Sequence, residues 1–213
     1  MQQWLAATRY CDWQAPPVWA LARRLAWRLA DPWRRARVIW LYVRDEIPYR
    51  FDYWHLRASD TLRRGGGMCT NKANLQVALL RASGIPAAFG HYLIHKEALR
   101  PVTPPALFAR IGEPTTHFFC LARLEGRWVA MDATVDRPLA LSAYRGLPGW
   151  RPVPWWGQHL AYHPRYVVRN LGPVANPDPY LQVPPRLLND HLLAEANRYL
   201  ARLRAAARER STP

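Results

Sequence analysis

The chain predicts a mix of helices and strands, and three observations carry that expectation. Residues 17–29 and 185–208 repeat apolar side chains at helical spacing near the two ends of the sequence. A third helical stretch follows Gly65–Gly67 in the middle. Between the third and the last helix lie one strand-like run and a pair of short runs flanking Glu125-Gly126, the pattern of an antiparallel hairpin. With 213 residues, half of them apolar, the chain can bury a sizeable core, and a single domain over 1–213 is expected.

Each element has a local reason. In residues 17–29, Val18, Leu21, Leu25 and Leu29 fall near one face. Asp31-Pro32 then supplies a cap and a proline at the first helical position, and a second helix runs to Asp45 with Val38, Leu41 and Tyr42 expected inward. Pro48 ends it, and residues 49–64 read as irregular. The third helix spans about Thr70 to Ser83, with Gly84 just past its end and Pro86 as a stop. Ala87 to Ile94 read as a strand. Residues 96–115, with four prolines, make a long connection or a lid. Hairpin strands are expected at 116–124 and 127–134. Residues 144–184 are rich in Pro, Trp and Tyr and weakly periodic; Trp150, Trp155 and Trp156 could wall a pocket but fit packing better. A last helix from Pro185 to Arg208 carries Leu188, Leu192, Tyr199 and Leu203 at helical spacing.

Composition narrows the function classes. No uncharged apolar run is long enough to span a membrane, and the N-terminus lacks the basic-then-apolar order of a secretory signal, so a cytoplasmic protein is expected. Three cysteines, Cys11, Cys69 and Cys120, are too sparse for a disulfide framework. His91 and His95 have ligand spacing only on a helix, yet HYLI reads as a strand, so neither a metal nor another cofactor is called for. The net charge of +15 comes almost wholly from arginine, since Lys72 and Lys96 are the only lysines. Such a surface attracts nucleic acid, an anionic membrane or an acidic protein, but the charges are spread along the chain as solvated helix faces would be.

The chemistry gathers at Cys69. At a helix N-terminus, unpaired N–H groups and the helix dipole favour the thiolate, and the preceding glycines allow a sharp turn and close approach of a substrate. Free cysteine is also a common buried packing residue. The hairpin tips the balance. If Leu124 faces Arg127, then Phe119 faces Asp132 and His117 faces Thr134. His117 and Asp132 thus share a face as diagonal neighbours, about 7–8 Å apart at Cα, within reach of an imidazole–carboxylate hydrogen bond. A slip of one residue would separate them. Nucleophile, base and orienting carboxylate form one set: Cys69, His117, Asp132. Cys120 has the opposite parity and is read as packing, Cys11 as incidental, and Asp136 as a turn acceptor before Pro138.

GGGMCTNKANLQVALLRASGIPA, residues 65–87, resembles the core motif of the transglutaminase-like superfamily, and TTHFFCLARLEGRWVAMDATVD resembles its histidine and aspartate strands. The upstream WLYVRDEIPY is similar to the helix before that core. The resemblance covers about residues 16–136. It implies a papain-like α+β fold with the cysteine helix packed on an antiparallel sheet, and a triad of Cys69, His117 and Asp132. It implies acyl transfer through a thioester: a peptide, amide or acyl-carrier thioester as donor, and an amine or water as acceptor. The Cys69 N–H would serve an oxyanion hole, with Tyr53, Trp54, Thr70 and Asn71 as weaker substrate-contacting candidates. The positive charge would suit an acidic acyl carrier protein, as in natural-product biosynthesis. Peptide or isopeptide hydrolysis is the alternative within this chemistry. A basic module binding nucleic acid or an acidic protein, with a vestigial triad, is the alternative outside it.

Overall fold

The computed structural model describes residues 2–144, 164–182 and 188–209, and Trp150, Trp155, Trp156 and Pro185 lie outside them. The N-terminal helices α1 (Pro16–Ala26) and α2 (Pro32–Asp45) form as expected. Asp31 caps α2 by accepting the Trp33 N–H. The buried face of α2 is Ala36, Ile39, Trp40 and Val43, one position round from the predicted Val38, Leu41 and Tyr42. Both faces of α2 are apolar in sequence. The bulkiest side chain settles the matter, because Trp40 is fully buried and its indole N–H reaches the Asp132 carbonyl at 3.1 Å.

Residues 49–64 are not wholly irregular, since α3 (Ala58–Arg64) lies within them. It is a single short stretch with no side-chain cap, so periodicity could not reveal it. It ends on Gly65, which takes the left-handed conformation, and α4 (Cys69–Ala82) follows. The sheet is β1 (Ala87–Ile94), β2 (Thr115–Leu124), β3 (Arg127–Met131) and β4 (Val167–Val174), in the order β3-β2-β1-β4. All its pairings are antiparallel, and Leu124 faces Arg127 as the two-residue turn requires. Strand β3 is shorter than expected, ending at Met131, which pairs with Cys120.

Strand β4 was not foreseen in the weakly periodic stretch. It is an edge strand that is largely exposed, so it has no inward face to write an alternating pattern. The connection between β1 and β2 is partly ordered as a 3-10 turn over Lys96–Val102 and the short helix α5 (Pro105–Phe108). Beyond β3 come α6 (Arg137–Ala143), α7 (Asp178–Leu181) and α8 (Asp190–Glu209).

Two apolar clusters organise these elements. The first lies between α1, α2, α4 and the sheet face carrying Phe89, Phe118, Cys120 and Met131. The second joins Tyr49, Phe51, Ile94 and Leu107 to α6 and α8. Arg81, nearly sealed at 2 % exposure, fastens the far end of α4 by donating to the carbonyls of Ala6, Ala87 and Ala175. Near the start of α4, Arg204 of α8 pairs with Asp136 and donates to the Tyr49 carbonyl. Asn197 holds both the N–H and the C=O of Phe51. Cys69 opens α4 close to where the two clusters meet.

Candidate active site

Cys69 is the first residue of α4, so its amide and the next two have no intrahelical carbonyl to donate to. No side-chain cap comes from Met68, the residue before the helix. Asn71 instead reaches back, its Oδ1 accepting the Met68 N–H at 3.0 Å, while its Nδ2 donates to the carbonyls of Tyr53 and Trp54. The glycine before this turn is therefore set by packing. A Cβ on Gly67 would stand 2.6 Å from the Asn71 Cβ, so it is Asn71, and not a substrate, that requires the missing side chain.

His117 projects from β2. Its Nε2 lies 2.7 Å from Asp132 Oδ2, and both residues are buried. The other carboxylate oxygen of Asp132 accepts the Thr134 N–H at 2.9 Å. The same ring hydrogen-bonds the Cys69 thiol, and with Nε2 on the carboxylate, Nδ1 is the nitrogen that remains for it. The short β3 completes the arrangement. Because β3 stops at Met131, opposite Cys120, it leaves the Phe118 amide free to donate to Sγ.

Electrostatics follow from this packing. Burial pushes the Cys69 thiol up. The hydrogen bond and charge of His117, the Thr70 hydroxyl and the Phe118 amide outweigh it, and the thiol ends below its ordinary value. Burial alone would lower His117. The neighbouring Asp132 carboxylate and the thiol reverse that and raise the ring to about 10. Asp132, despite its own burial, is held at about 2 by His117 and Thr134. Near neutral pH Asp132 is a carboxylate and His117 an imidazolium, set beside a thiol whose ionisation they favour.

The other cysteines contrast with Cys69. Burial lifts Cys11 to about 12 and Cys120 well above its ordinary value, so both are inert thiols.

The weaker expectations divide. Trp54 and Thr70 line the cavity in front of Cys69, and Thr70 Oγ1 lies 3.7 Å from Sγ. Tyr53 does not line it, because its hydroxyl is turned to Asp190 of α8 at 2.9 Å. Asn71 is fully buried, clamps the 53–54 backbone and does not line the cavity. Lys72 is sealed in the protein with Nζ 3.2 Å from the Arg44 carbonyl. Burial drives its pKa down to about 7, against the pull of Asp136 and Asp132. Asp136 does more than end a turn: it accepts the N–H groups of Leu139 and Tyr49 and pairs with Arg204. Lysine is almost never fully buried, so the sequence carried no signal that Lys72, one turn past the cysteine, is sealed.

The family profile described as the transglutaminase-like superfamily matches residues 20–133, more than half of the chain. The chain belongs to the transglutaminase-like superfamily. Comparison with the curated proteins finds none that matches. Among solved structures, the chain resembles a "putative cysteine protease" from Cytophaga hutchinsonii at 24% identity and a TM-score of 0.50, over 64% of this chain and 42% of that one. A "putative protease" from Parabacteroides distasonis is matched at 14% identity and a TM-score of 0.44, over 60% of this chain and 25% of that one. The Cytophaga structure supports the superfamily fold. The chain spans less than half the length of either relative.

Proposed function

We propose that this protein is a cysteine acyltransferase working through a thioester acyl-enzyme, with Cys69 as nucleophile, His117 as acid and base, and Asp132 as the group that orients the ring. The observation that carries the reading is the continuous Asp132–His117–Cys69 chain ending at a helix N-terminus and facing a cavity. The Cys69 thiolate attacks the donor carbonyl, and a C–S bond forms as the carbonyl oxygen becomes an oxyanion. The Cys69 N–H, unpaired at the helix start, is placed to donate to it. As the tetrahedral centre collapses, the bond to the leaving group breaks and His117 hands that group its proton. His117, now neutral, takes a proton from an amine or water, which attacks the thioester and returns the thiolate and the imidazolium.

Charge supports a carrier-bound donor. Acyl carrier proteins are acidic, and a partner at +15 would draw one in by long-range attraction. The test is intact-protein mass spectrometry after mixing with acyl-carrier thioesters and glutamine-containing peptides. Wild type should gain one acyl mass, and Cys69→Ala none. The donor that acylates names the substrate class. An equal mass gain on Cys69→Ala, or none on wild type with any donor, would remove the proposal.

A further inference from the structure

The cavity in front of Cys69 and His117 has a volume of about 410 Å³, within the ~300–1,000 Å³ range of small-molecule sites. Its walls come from separate parts of the chain. Leu93 comes from β1, Leu107 from α5, Ile111 from the connection before β2, and Leu188 from just before α8. Aside from the Cys69–His117 pair, none of the described residues lining it carries a charge. In a chain with 30 basic and 15 acidic residues that absence is selective. The long 96–115 connection is thus a wall of the site as well as a link between strands.

Two further observations point to what enters. Leu171 and Tyr180 line the same cavity and are among the large apolar residues left exposed, at 43% and 49%. An apolar group can therefore leave water along a greasy rim before it is fully enclosed. His91 is the second. It is 94% sealed from solvent, lies stacked on Phe118 with ring centroids 4.4 Å apart, and meets the edge of Tyr180 at 5.0 Å. Among the described residues its ring makes no hydrogen bond, although the cavity touches it. Burial holds it neutral. It offers one uncharged polar contact inside an otherwise apolar chamber.

We infer that this cavity is an acyl-selecting pocket for an uncharged, predominantly apolar acyl group of medium size, aliphatic or aryl. The inference rests on the acyl-transfer reading and deepens it. Binding excludes a carboxylate-bearing acyl chain, because no cation awaits its charge and removing it from water is costly. Each methylene buried in the wall favours the longer donor.

The test uses the full chain and N-acetylcysteamine thioesters of acetyl, octanoyl, phenylacetyl and glutaryl groups, following the rate of acyl adduct on Cys69 by intact mass. In each case the Cys69 S–C bond forms, the donor C–S bond breaks, and N-acetylcysteamine leaves as its thiol with the proton from His117. Octanoyl and phenylacetyl donors should acylate at least tenfold faster than acetyl, with glutaryl no faster than acetyl. Ile111→Trp, at a half-buried wall position, should lower the octanoyl-to-acetyl ratio at least fivefold. Adducts at equal rates from all four donors, or fastest from glutaryl, would overturn the pocket assignment and leave acyl transfer standing. An octanoyl preference unchanged in Ile111→Trp would likewise place the selection elsewhere. Adducts from none of the four, with Cys69 still alkylated by iodoacetamide, would overturn both readings.

Discussion

At Cys69 burial and polar neighbours oppose one another, and His117 decides which prevails. Burial alone would make this thiol as inert as Cys11 and Cys120, both raised by their apolar surroundings. With His117 hydrogen-bonded to it, the thiol sits below its ordinary value instead. The pH profile of Cys69 alkylation by iodoacetamide should therefore have its midpoint below the ordinary thiol value of 9. In His117→Ala burial is left unopposed by the ring, and the midpoint of the alkylation profile should move above 9. A profile that does not move would remove His117 from the thiol's environment.

Asp132 acts one step further back. It raises the ring to about 10, so Asp132→Asn should drop the ring toward its ordinary 6.5. The upper limb of the pH–rate profile should then shift down from about 10 by at least roughly two units. The rate near neutrality should fall by on the order of 10²-fold or more. A changed rate with an unmoved upper limb would mean that Asp132 only holds structure.

The elements place these residues through the start of α4, where Gly67, Asn71 and the 53–54 backbone lock together. Gly67→Ala would force a Cβ to within 2.6 Å of the Asn71 side chain next to the helix, where it has little room to yield. Overpacking of this kind costs about 1–3 kcal/mol, or several degrees of Tm in a chain of this size. The displaced Cys69 should also lose about tenfold or more in acylation rate. Thermal melts and acylation rates measured together check both.

The same elements show what sequence can and cannot write down. Strand β1, the hairpin register and the two ends of α4 were legible, because turn chemistry and a buried face fix them. So was the juxtaposition of His117 with Asp132, which follows from register alone. Strand β4 and α3 were not legible: one is an exposed edge and the other too short to repeat a pattern. The face of α2 was misjudged because two apolar faces compete and only tertiary packing of Trp40 chooses between them. Tyr53 was misplaced for a related reason. Its partner, Asp190, is distant in sequence and carries no local signal.

For the whole molecule, the sealed Lys72 and the raised His117 carry a joint consequence for how protons are shared out on folding. Unfolded, the lysine holds its proton up to about 10.5 and the histidine releases one near 6.5. Folded, the order is inverted, with Lys72 letting go at about 7 and His117 at about 10. The stabilisation from His117 is complete below 6.5 and is lost as pH rises through about 10. The penalty from Lys72 is complete below about 7 and is lifted as pH rises toward 10.5. Between 7 and 10 the native and unfolded chains therefore bind the same number of protons on this pair, and the two slopes cancel. Lys72→Met removes one half of the exchange. Its stability in urea melts between pH 7.5 and 9.5 should fall more steeply with pH than that of wild type, by about 1.4 kcal/mol per pH unit, one proton's worth. Parallel slopes in the two proteins would mean that the buried lysine keeps its charge. Folding, on this account, carries a proton from an amine to an imidazole and so charges His117 with no net pH dependence from this pair between 7 and 10.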